Sequence, residues 1–385
     1  MNTGDRDRLT LLVYCQLGLW GYFLFGFGPV VPILRDELDV SNTVAGLHAT
    51  MISAGSITAS SLYPRLARGL GRGLTARVGM AGLAAGVAIL CSWDLLAFTL
   101  TGTFIAGGFG SLLVTGSAVI LRERHEDRAP AAITEANAVA AAFGLIGPAL
   151  IGIAAAVGLG WRPVLLALVV LIVLVAFTLG REPVPDGVAP DRGTRGKLPR
   201  KYWGAWLVVA MVIGVEASMT VWSSDLLRDS AGMGDGAAAA GVSVLLAGML
   251  TGRLLGPRFA SRGPASVLLA ALFLAGGGFL VFWTAQTPVQ GLAGLALMGL
   301  GMSLHYPLAV TAAIEAGDGH PDLAAGRAAL GVGVAAATVP LLMGAMSDAA
   351  GIQAAFTLVP ILLAVAVTSL IISGRRPVEV ATLDD

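Results

Sequence analysis

The amino-acid sequence predicts an all-α polytopic membrane protein, with twelve transmembrane helices arranged as two six-helix bundles related by a pseudo-twofold axis. Three observations lead to this fold class. First, 56% of the 385 residues are hydrophobic and only 12% are charged, whereas soluble domains carry about 25% charged residues. Second, apolar runs of about 20 residues, the length that crosses a bilayer as a helix, recur along the whole chain. Third, the two halves of the sequence align with each other.

Charged residues and Gly or Pro clusters divide the chain into twelve apolar segments. Both cysteines, Cys15 and Cys91, fall inside such segments, so the sequence indicates neither a disulfide framework nor a metal site. No cofactor is predicted. The predicted spans are residues 9–34, 42–64, 74–93, 95–121, 131–158, 161–180, 203–227, 236–257, 264–285, 288–314, 323–347 and 351–374.

The basic residues predict the direction in which the spans run. Because the number of spans is even, both termini lie on one side of the membrane. Of the 24 Lys and Arg residues, 21 fall on the side of the termini, and the other side holds only Arg35, Arg162 and Arg228. Basic residues concentrate in cytoplasmic loops. We therefore expect a multi-pass protein of the cell membrane with both termini in the cytoplasm.

A single long polar stretch separates the sixth predicted span from the seventh. It reads REPVPDGVAPDRGTRGKLPRK, residues 181–201, and is rich in Pro, Gly and basic residues. This composition is typical of a flexible linker. The expected organisation is an N-terminal bundle (1–180), a cytoplasmic linker (181–201) and a C-terminal bundle (202–385).

An internal repeat relates the two bundles. At an offset of 193 residues, LRDELDV from Leu34 aligns with LRDSAGM from Leu227, and YPRLAR from Tyr63 aligns with GPRFAS from Gly256. Without a gap, eleven of the 34 positions from residue 34 to residue 67 are identical. A shift of one residue then aligns GPALIG with VPLLMG. Such a duplication predicts two halves of similar fold.

The repeat, the linker and one loop motif resemble the major facilitator superfamily. The loop after the second span reads PRLARGLGRG, which keeps Gly71 and Arg72 of the family signature G-x3-D-R-x-G-R-R but has Arg68 in place of its acidic residue. The resemblance implies a secondary transporter with a central cavity that opens to each side of the membrane in turn. The fifth span, EANAVAAAFGLIGPALIG, also loosely resembles the Gly-Pro motif of the antiporters of this family, with Ile151 in place of one glycine. This favours efflux antiport.

Glu216 is the candidate proton-coupling residue. It stands in the apolar run MVIGVEASMTVW of the seventh span, where an ionised side chain costs several kcal/mol. The resemblance implies that this span lines the cavity, where a carboxyl group can load and release a proton. The alternative is a neutral carboxyl group that only binds a neighbouring helix.

Other polar and aromatic side chains inside predicted spans are candidates for contact with the solute. Each could instead be a packing residue or an anchor at the membrane interface. No Arg or Lys is expected near the membrane midplane, which favours a neutral, cationic or amphipathic solute over a small anion. The candidates are Tyr14, Gln16, Trp20, Tyr22, Asn137, Trp222, His305 and Tyr306.

Four charged residues at predicted helix ends are candidates for a cytoplasmic gate. The offset of 193 aligns Arg122 with Glu315, and the offset of 192 aligns Glu135 with Arg327. At both pairs of equivalent positions the two halves therefore carry opposite charges. The resemblance implies that these helix ends converge when the protein opens outward, so the charges could close the cytoplasmic side. Alternatively, they are solvated helix ends.

The predicted function is proton-coupled transport of a small molecule across the membrane by a monomer, with proton-coupled import or uniport of a neutral metabolite such as a sugar as the alternative. An intramembrane enzyme is a further alternative. Against it, the sequence has no H-E-x-x-H or G-x-S-x-G motif, and its Gly-x-Gly-Asp string at 232–235 lies in a predicted outer loop. Zero net charge implies no nucleic-acid partner.

Overall fold

The computed structural model describes residues 7–125, 129–180, 182–184, 197–256 and 263–374. Within these ranges every regular element is an α-helix. The helices form two bundles as the sequence predicts, so the predicted fold class is confirmed. The predicted linker, residues 181–201, lies largely outside the described residues, and the proposed domain boundary stays a prediction.

The N-terminal half has six longer helices and one short additional helix. Its first predicted span is shorter than expected, because Pro29 has no backbone N–H to continue the helix, and residues beyond it form a separate short helix. The helices are α1 (Arg8–Phe27), α2 (Val30–Leu38), α3 (Asn42–Leu70), α4 (Arg72–Ser92), α5 (Leu96–His125), α6 (Ala129–Ala156) and α7 (Arg162–Thr178).

The C-terminal half repeats this order, with its tenth and twelfth predicted spans each divided into two helices. The tenth span is interrupted at Ser303 and Leu304, and Pro307 falls in the first turn of the helix that follows, where no N–H donor is needed. The helices are α8 (Arg200–Ala231), α9 (Asp235–Leu255), α10 (Pro264–Trp283), α11 (Pro288–Met302), α12 (His305–Glu315), α13 (Pro321–Ala350), α14 (Ile352–Ala355) and α15 (Leu358–Gly374).

Ten of the helical segments in the described residues are long and apolar enough to cross a membrane. Of the other two predicted spans, α7 is somewhat short, with 17 residues. Helix α3 has 29 residues but is less apolar, because it carries Ser and Thr side chains such as Thr50, Ser53 and Ser56. It packs on α5 of its own half and α13 of the other half, where Thr50 donates to the Ala337 carbonyl and Ser56 to the Gly107 carbonyl, so these hydroxyl groups are not left without partners.

Several helix boundaries follow from local sequence. Asp7 caps α1, accepting a hydrogen bond from the Thr10 backbone N–H at 2.9 Å, and Ser41 caps α3 in the same way through the Val44 N–H at 3.3 Å. Gly71 lies between α3 and α4 with φ of 78°, a conformation that glycine adopts without strain. This explains why the glycine of the loop motif is kept.

The two halves meet through two helix pairs, α3 with α13 and α6 with α9. These are equivalent pairs under the pseudo-twofold relation. We call the side that holds the start of α1, the end of α7 and the start of α8 the linker face, and the side that holds α2 and the end of α8 the opposite face. Arg8 at the linker face donates a hydrogen bond to the Thr178 carbonyl at 2.8 Å, which ties α1 to α7 there.

Candidate functional site

A cavity between the two halves contains the Glu216 carboxyl group. It has a volume of about 200 Å³ and is lined by residues of α1, α3, α8 and α13, with short contributions from Gly28 and Val31. Its lining is apolar apart from Glu216, Ser53 and Thr220. Glu216 lies midway along α8 and is half-buried, so its carboxyl group is open to this space. We call it the central cavity.

Among the described residues, the Glu216 carboxyl group has no hydrogen-bond or ion-pair partner. The nearby Thr220 hydroxyl donates to the backbone carbonyl of Glu216 at 2.8 Å, not to the carboxyl group. The position of Glu216 agrees with the expectation that it faces a cavity, while its role in proton coupling stays a prediction.

A second cavity of about 630 Å³ lies between α6 of the N-terminal half and α9, α10 and α12 of the C-terminal half. We call it the side cavity. Two predicted solute contacts line it, Asn137 and Tyr306, and both are exposed. The Asn137 amide donates to the Ile133 carbonyl at 2.9 Å, which leaves its oxygen free to accept a hydrogen bond.

Arg253 is a residue of this site that the sequence analysis did not identify. It lines the side cavity from the last turn of α9 and is half-buried. Its Nε donates a long hydrogen bond to the Ser303 carbonyl, at 3.4 Å. Because Arg253 lies in the last turn of α9, it does not contradict the expectation that no Arg or Lys lies near the membrane midplane, which stays a prediction. The one signal for this position in the sequence is an arginine that stands at the end of an apolar span.

Three other predicted solute contacts are buried in packing between helices. The Tyr22 hydroxyl donates to the Val164 carbonyl of α7 at 2.9 Å, and the Trp222 indole donates to the Pro340 carbonyl of α13 at 3.0 Å. His305 is 1% exposed at the start of α12. Neither of its ring nitrogens has a hydrogen-bond partner among the described residues, although the Ala271 backbone of α10 lies nearby.

The remaining candidates are in α1. The Tyr14 hydroxyl donates to Glu135 Oε2 at 2.9 Å, so it joins α1 to α6. Gln16 is 1% exposed. Trp20 is half-buried and packs so closely on α5 that a Cβ atom on Gly110 would lie 2.0 Å from its ring. The lining residues of the two cavities do not include these three side chains.

The four gate candidates lie toward the linker face. Arg122, Glu315 and Arg327 are exposed, and none of them forms an ion pair with another residue of the described ranges. Glu135 is half-buried and accepts the hydrogen bond from Tyr14. The role of the four residues in a closed state stays a prediction.

Ion pairs join the two halves at the opposite face. Arg35 of α2 contacts Asp225 of α8 at 2.7 Å, and Arg228 of α8 contacts Asp36 of α2 at 3.1 Å. Arg228 also bridges to Asp225 within its own helix at 2.9 Å. The two copies of the repeated Leu-Arg-Asp sequence, one in each half, thus lie side by side at this face. The Asp225 side chain is only 8% exposed, so this pair is partly shielded from water.

Asp348 makes a second connection between the halves at the same face. One of its carboxylate oxygens accepts from the Asn42 backbone N–H at 2.7 Å. The other accepts from the Thr43 backbone N–H at 2.8 Å and from the Thr43 hydroxyl at 2.6 Å. These are the first N–H groups of α3, which have no partner within the helix. A carboxylate of α13 therefore completes the N-terminus of a helix in the other half.

Close backbone contacts accompany these polar connections. A Cβ atom on Gly28 would lie 2.4 Å from the Thr220 carbonyl oxygen, and one on Gly152 would lie 2.4 Å from that of Gly236. Each of these glycines faces the other half. The ion pairs and the Asp348 contacts between the halves lie at the opposite face, while Arg122, Glu315 and Arg327 form no ion pair with other described residues and are exposed toward the linker face. In the part of the chain that the structure describes, the halves are therefore joined at the opposite face, which is closed.

Comparison with known proteins identifies the family of this chain. The sequence matches the family model of the Major Facilitator Superfamily over residues 13–316. It is 26% identical over 352 residues to a protein described as "Chloramphenicol resistance protein" from Streptomyces lividans, and the match covers 87% of both chains.

Solved transporter structures share the fold. A crystal structure of the nucleoside transporter NupG covers 96% of this chain and 98% of its own, with a TM-score of 0.70 and 15% identity. A crystal structure of a D-xylose-proton symporter covers 96% and 97%, with a TM-score of 0.73 and 13% identity. The matched family model spans most of the chain, and these structures match both bundles. The chain therefore belongs to the Major Facilitator Superfamily, and it is a membrane transporter rather than an enzyme.

Proposed function

We propose that this chain is a proton-coupled secondary transporter that exports a small molecule by alternating access. The observation that carries the proposal is Glu216, a half-buried carboxyl group in the apolar central cavity between the two halves. A group that can carry a charge is expensive at this depth and needs a functional reason. Reversible protonation supplies one, because the proton neutralises the group before the cavity changes sides.

Exchange follows if solute and proton compete for the same carboxyl group. A bound solute that donates a hydrogen bond to the ionised carboxylate keeps the proton off, and a bound proton weakens the site for the solute. The protein then changes between its two open states with either the solute or the proton bound, but not with both. A ligand shifts the equilibrium between two conformations only by its differential affinity for them, so competition at Glu216 links the two fluxes.

Two features favour export over import. One is the likeness to a protein named for chloramphenicol resistance, since export is one means of resistance. The other is the Gly-Pro run of α6, with Pro148 inside the helix, which resembles the motif of the antiporters of the family. The alternative is proton-coupled import or uniport of a neutral metabolite.

The proposed location is the cell membrane, with the linker face in the cytoplasm. The asymmetry of the 24 basic residues supports this orientation, and residues 181–201 then form a cytoplasmic connection between bundles 1–180 and 202–385. A reporter fused at residue 190 should be active in the cytoplasm and a reporter in the loop after residue 93 outside it. The reverse result would overturn the orientation.

Counterflow in proteoliposomes tests the proposed function. We would load vesicles with unlabelled chloramphenicol and add the labelled compound outside, with and without a pH gradient. The expected result is exchange without a gradient, and net movement toward the acidic side when the gradient is imposed. Flux that ignores the gradient would indicate a uniporter, net movement away from the acidic side would indicate symport, and an absence of exchange would contradict transport of this class of solute.

A further inference from the structure

The lining of the side cavity contains one charged side chain. Among the described residues that line it, only Arg253 carries a charge, and this half-buried side chain forms no ion pair with a described residue. Most of the other lining side chains are apolar, including Leu250, Val267 and Leu308. A charge in such surroundings normally has a partner, because its desolvation is otherwise uncompensated. The lining provides no negative charge to balance Arg253.

The Arg253 guanidinium group is held at one of its nitrogens. Its Nε donates to the Ser303 carbonyl at 3.4 Å, where the tenth span is interrupted between α11 and α12. Neither Nη1 nor Nη2 has a hydrogen-bond partner among the described residues. The N–H groups of a guanidinium form a planar fork that matches the geometry of a carboxylate or phosphate group. The outer donors of this fork are therefore available to an oxyanion.

Neutral polar groups reach the same cavity from both halves. Positions 134, 137, 138 and 141 all line it, and their spacing places them on one face of α6. Asn137 is exposed on this face, and its amide nitrogen donates to the Ile133 carbonyl at 2.9 Å, which leaves its oxygen to accept. From α12 of the other half, Tyr306 is also exposed, and its hydroxyl group forms no hydrogen bond with a described residue. Both side chains can bind an uncharged polar group of a ligand.

We propose that the side cavity binds an amphipathic molecule that carries a single oxyanion group. The oxyanion contacts the Nη groups of Arg253, an uncharged polar group contacts Asn137 or Tyr306, and the apolar body lies against the cavity walls. One positive charge favours a monoanion over a dianion, because a second negative charge would stay uncompensated. The volume of about 630 Å³ is that of pockets for drug-sized ligands. The inference goes beyond the proposed function, because it requires neither Glu216 nor a proton gradient.

Binding to the purified full-length protein tests the proposal, in an uncharged detergent at fixed pH and without a gradient. Affinities are measured from ligand-induced shifts in thermal unfolding. Two probes share one apolar body: 4-phenylbutyrate is an anion, and 4-phenylbutanamide is neutral. The expected result is that 4-phenylbutyrate binds at least about tenfold more tightly, because only the carboxylate compensates the charge of Arg253. Acetate, which lacks the apolar body, should bind more weakly than 4-phenylbutyrate.

Variants of the arginine locate the preference for the anion. Arg253→Gln should lower the affinity for 4-phenylbutyrate to about that for the amide, and Arg253→Lys should retain part of the preference, since it keeps the charge but not the fork. Arg77→Gln is the matched control and should bind as the parent does, because Arg77 is exposed on α4, which lines neither cavity. Equal affinities for the two probes in the parent, or a preference that Arg253→Gln leaves unchanged, would overturn the proposal.

A substitution that fills the cavity tests where the apolar body binds. Ala138 lines the side cavity from α6 and is exposed there. Ala138→Phe should weaken the binding of both probes, while the protein without ligand unfolds at about the parent temperature. Parent-like affinities in this variant would place the apolar body outside the side cavity and would contradict the proposed site.

Organic acids of the cytoplasm and anionic lipids of the membrane share the proposed chemistry, and the same assay separates them. The lipid probe is dihexanoylphosphatidylglycerol, with zwitterionic dihexanoylphosphatidylcholine as its control. We expect it to bind more weakly than 4-phenylbutyrate, because two acyl chains suit a drug-sized cavity poorly, and this result would assign the site to a free organic acid. Tighter binding that Arg253→Gln abolishes would support the site with a membrane lipid as its ligand. Loss of proton coupling in counterflow would contradict the proposed function without affecting these affinities.

Discussion

Glu216→Gln is expected to abolish solute accumulation driven by a pH gradient, while exchange without a gradient continues. Glutamine has almost the same shape as glutamate and still accepts a hydrogen bond, but it cannot carry a proton between the two sides. In one-to-one exchange, one pH unit stores about 1.4 kcal/mol and supports about tenfold accumulation. The variant should show none, although its counterflow should stay within about fivefold of the parent protein, because a hydrogen bond to an uncharged group contributes about 1 kcal/mol less than one to a charged group.

The control for this variant replaces a carboxylate by an amide far from the cavities. Asp318 is exposed at the linker face with φ of 50°, a backbone conformation that asparagine adopts well. Asp318→Asn should accumulate solute as the parent does. If Glu216→Gln accumulates solute equally well, proton coupling at Glu216 is contradicted and the residue has only a structural role.

Glu216 could be predicted from sequence because its contrast with its neighbours is large. A carboxyl group in an apolar run needs a reason, and the first helix of a half lies close to the interface between halves. The repeat was equally informative, since its Leu-Arg-Asp copies, which include Arg35 and Arg228, meet at the opposite face. The fold class and the number of spans follow from the lengths of the apolar segments. These lengths change little when a helix boundary is misplaced by a few residues.

Whether an individual side chain points into a cavity, toward another helix or toward lipid could not be predicted in the same way. In a membrane protein, lipid and the protein interior are both apolar, so a helix such as α8 has no polar side that identifies its exposed surface. Trp222 and Glu216 lie six residues apart in α8, yet Trp222 packs on α13 while Glu216 faces the cavity. Arg253 was missed for a related reason, because an arginine near a helix end is compatible with both a loop and a cavity.

The second large effect concerns the equilibrium between the two open states. Asp348→Asn should increase the population open at the opposite face, because the carboxylate stabilises the closed arrangement through three hydrogen bonds to the start of α3. Asparagine keeps one acceptor oxygen and loses the negative charge that favours a helix N-terminus. The charge at an exposed helix end contributes up to about 1 kcal/mol, so we expect a shift of about fivefold.

The gate candidates at the linker face should act in the other direction. If Arg122, Glu135, Glu315 and Arg327 pair across the halves when the linker face closes, Glu135→Gln or Arg327→Gln removes a contact made only in that state. The population open at the opposite face should then fall. Arg122, Glu315 and Arg327 are exposed, and the pairing of the four residues stays a prediction.

One labelling experiment measures both effects. A cysteine replaces Ser53, which lines the central cavity, after Cys15 and Cys91 have been changed to alanine. The rate of its reaction with a membrane-impermeant maleimide, added from each side, reports the fraction of molecules open to that side.

Asp348→Asn should speed labelling from the opposite face, and Arg327→Gln should slow it. Exchanging the charges of Glu135 and Arg327 should restore the parent rate if the two residues pair. Parent-like labelling in all single variants, with no effect of the exchange, would mean that the linker-face residues are solvated helix ends and that Asp348 does not control the equilibrium.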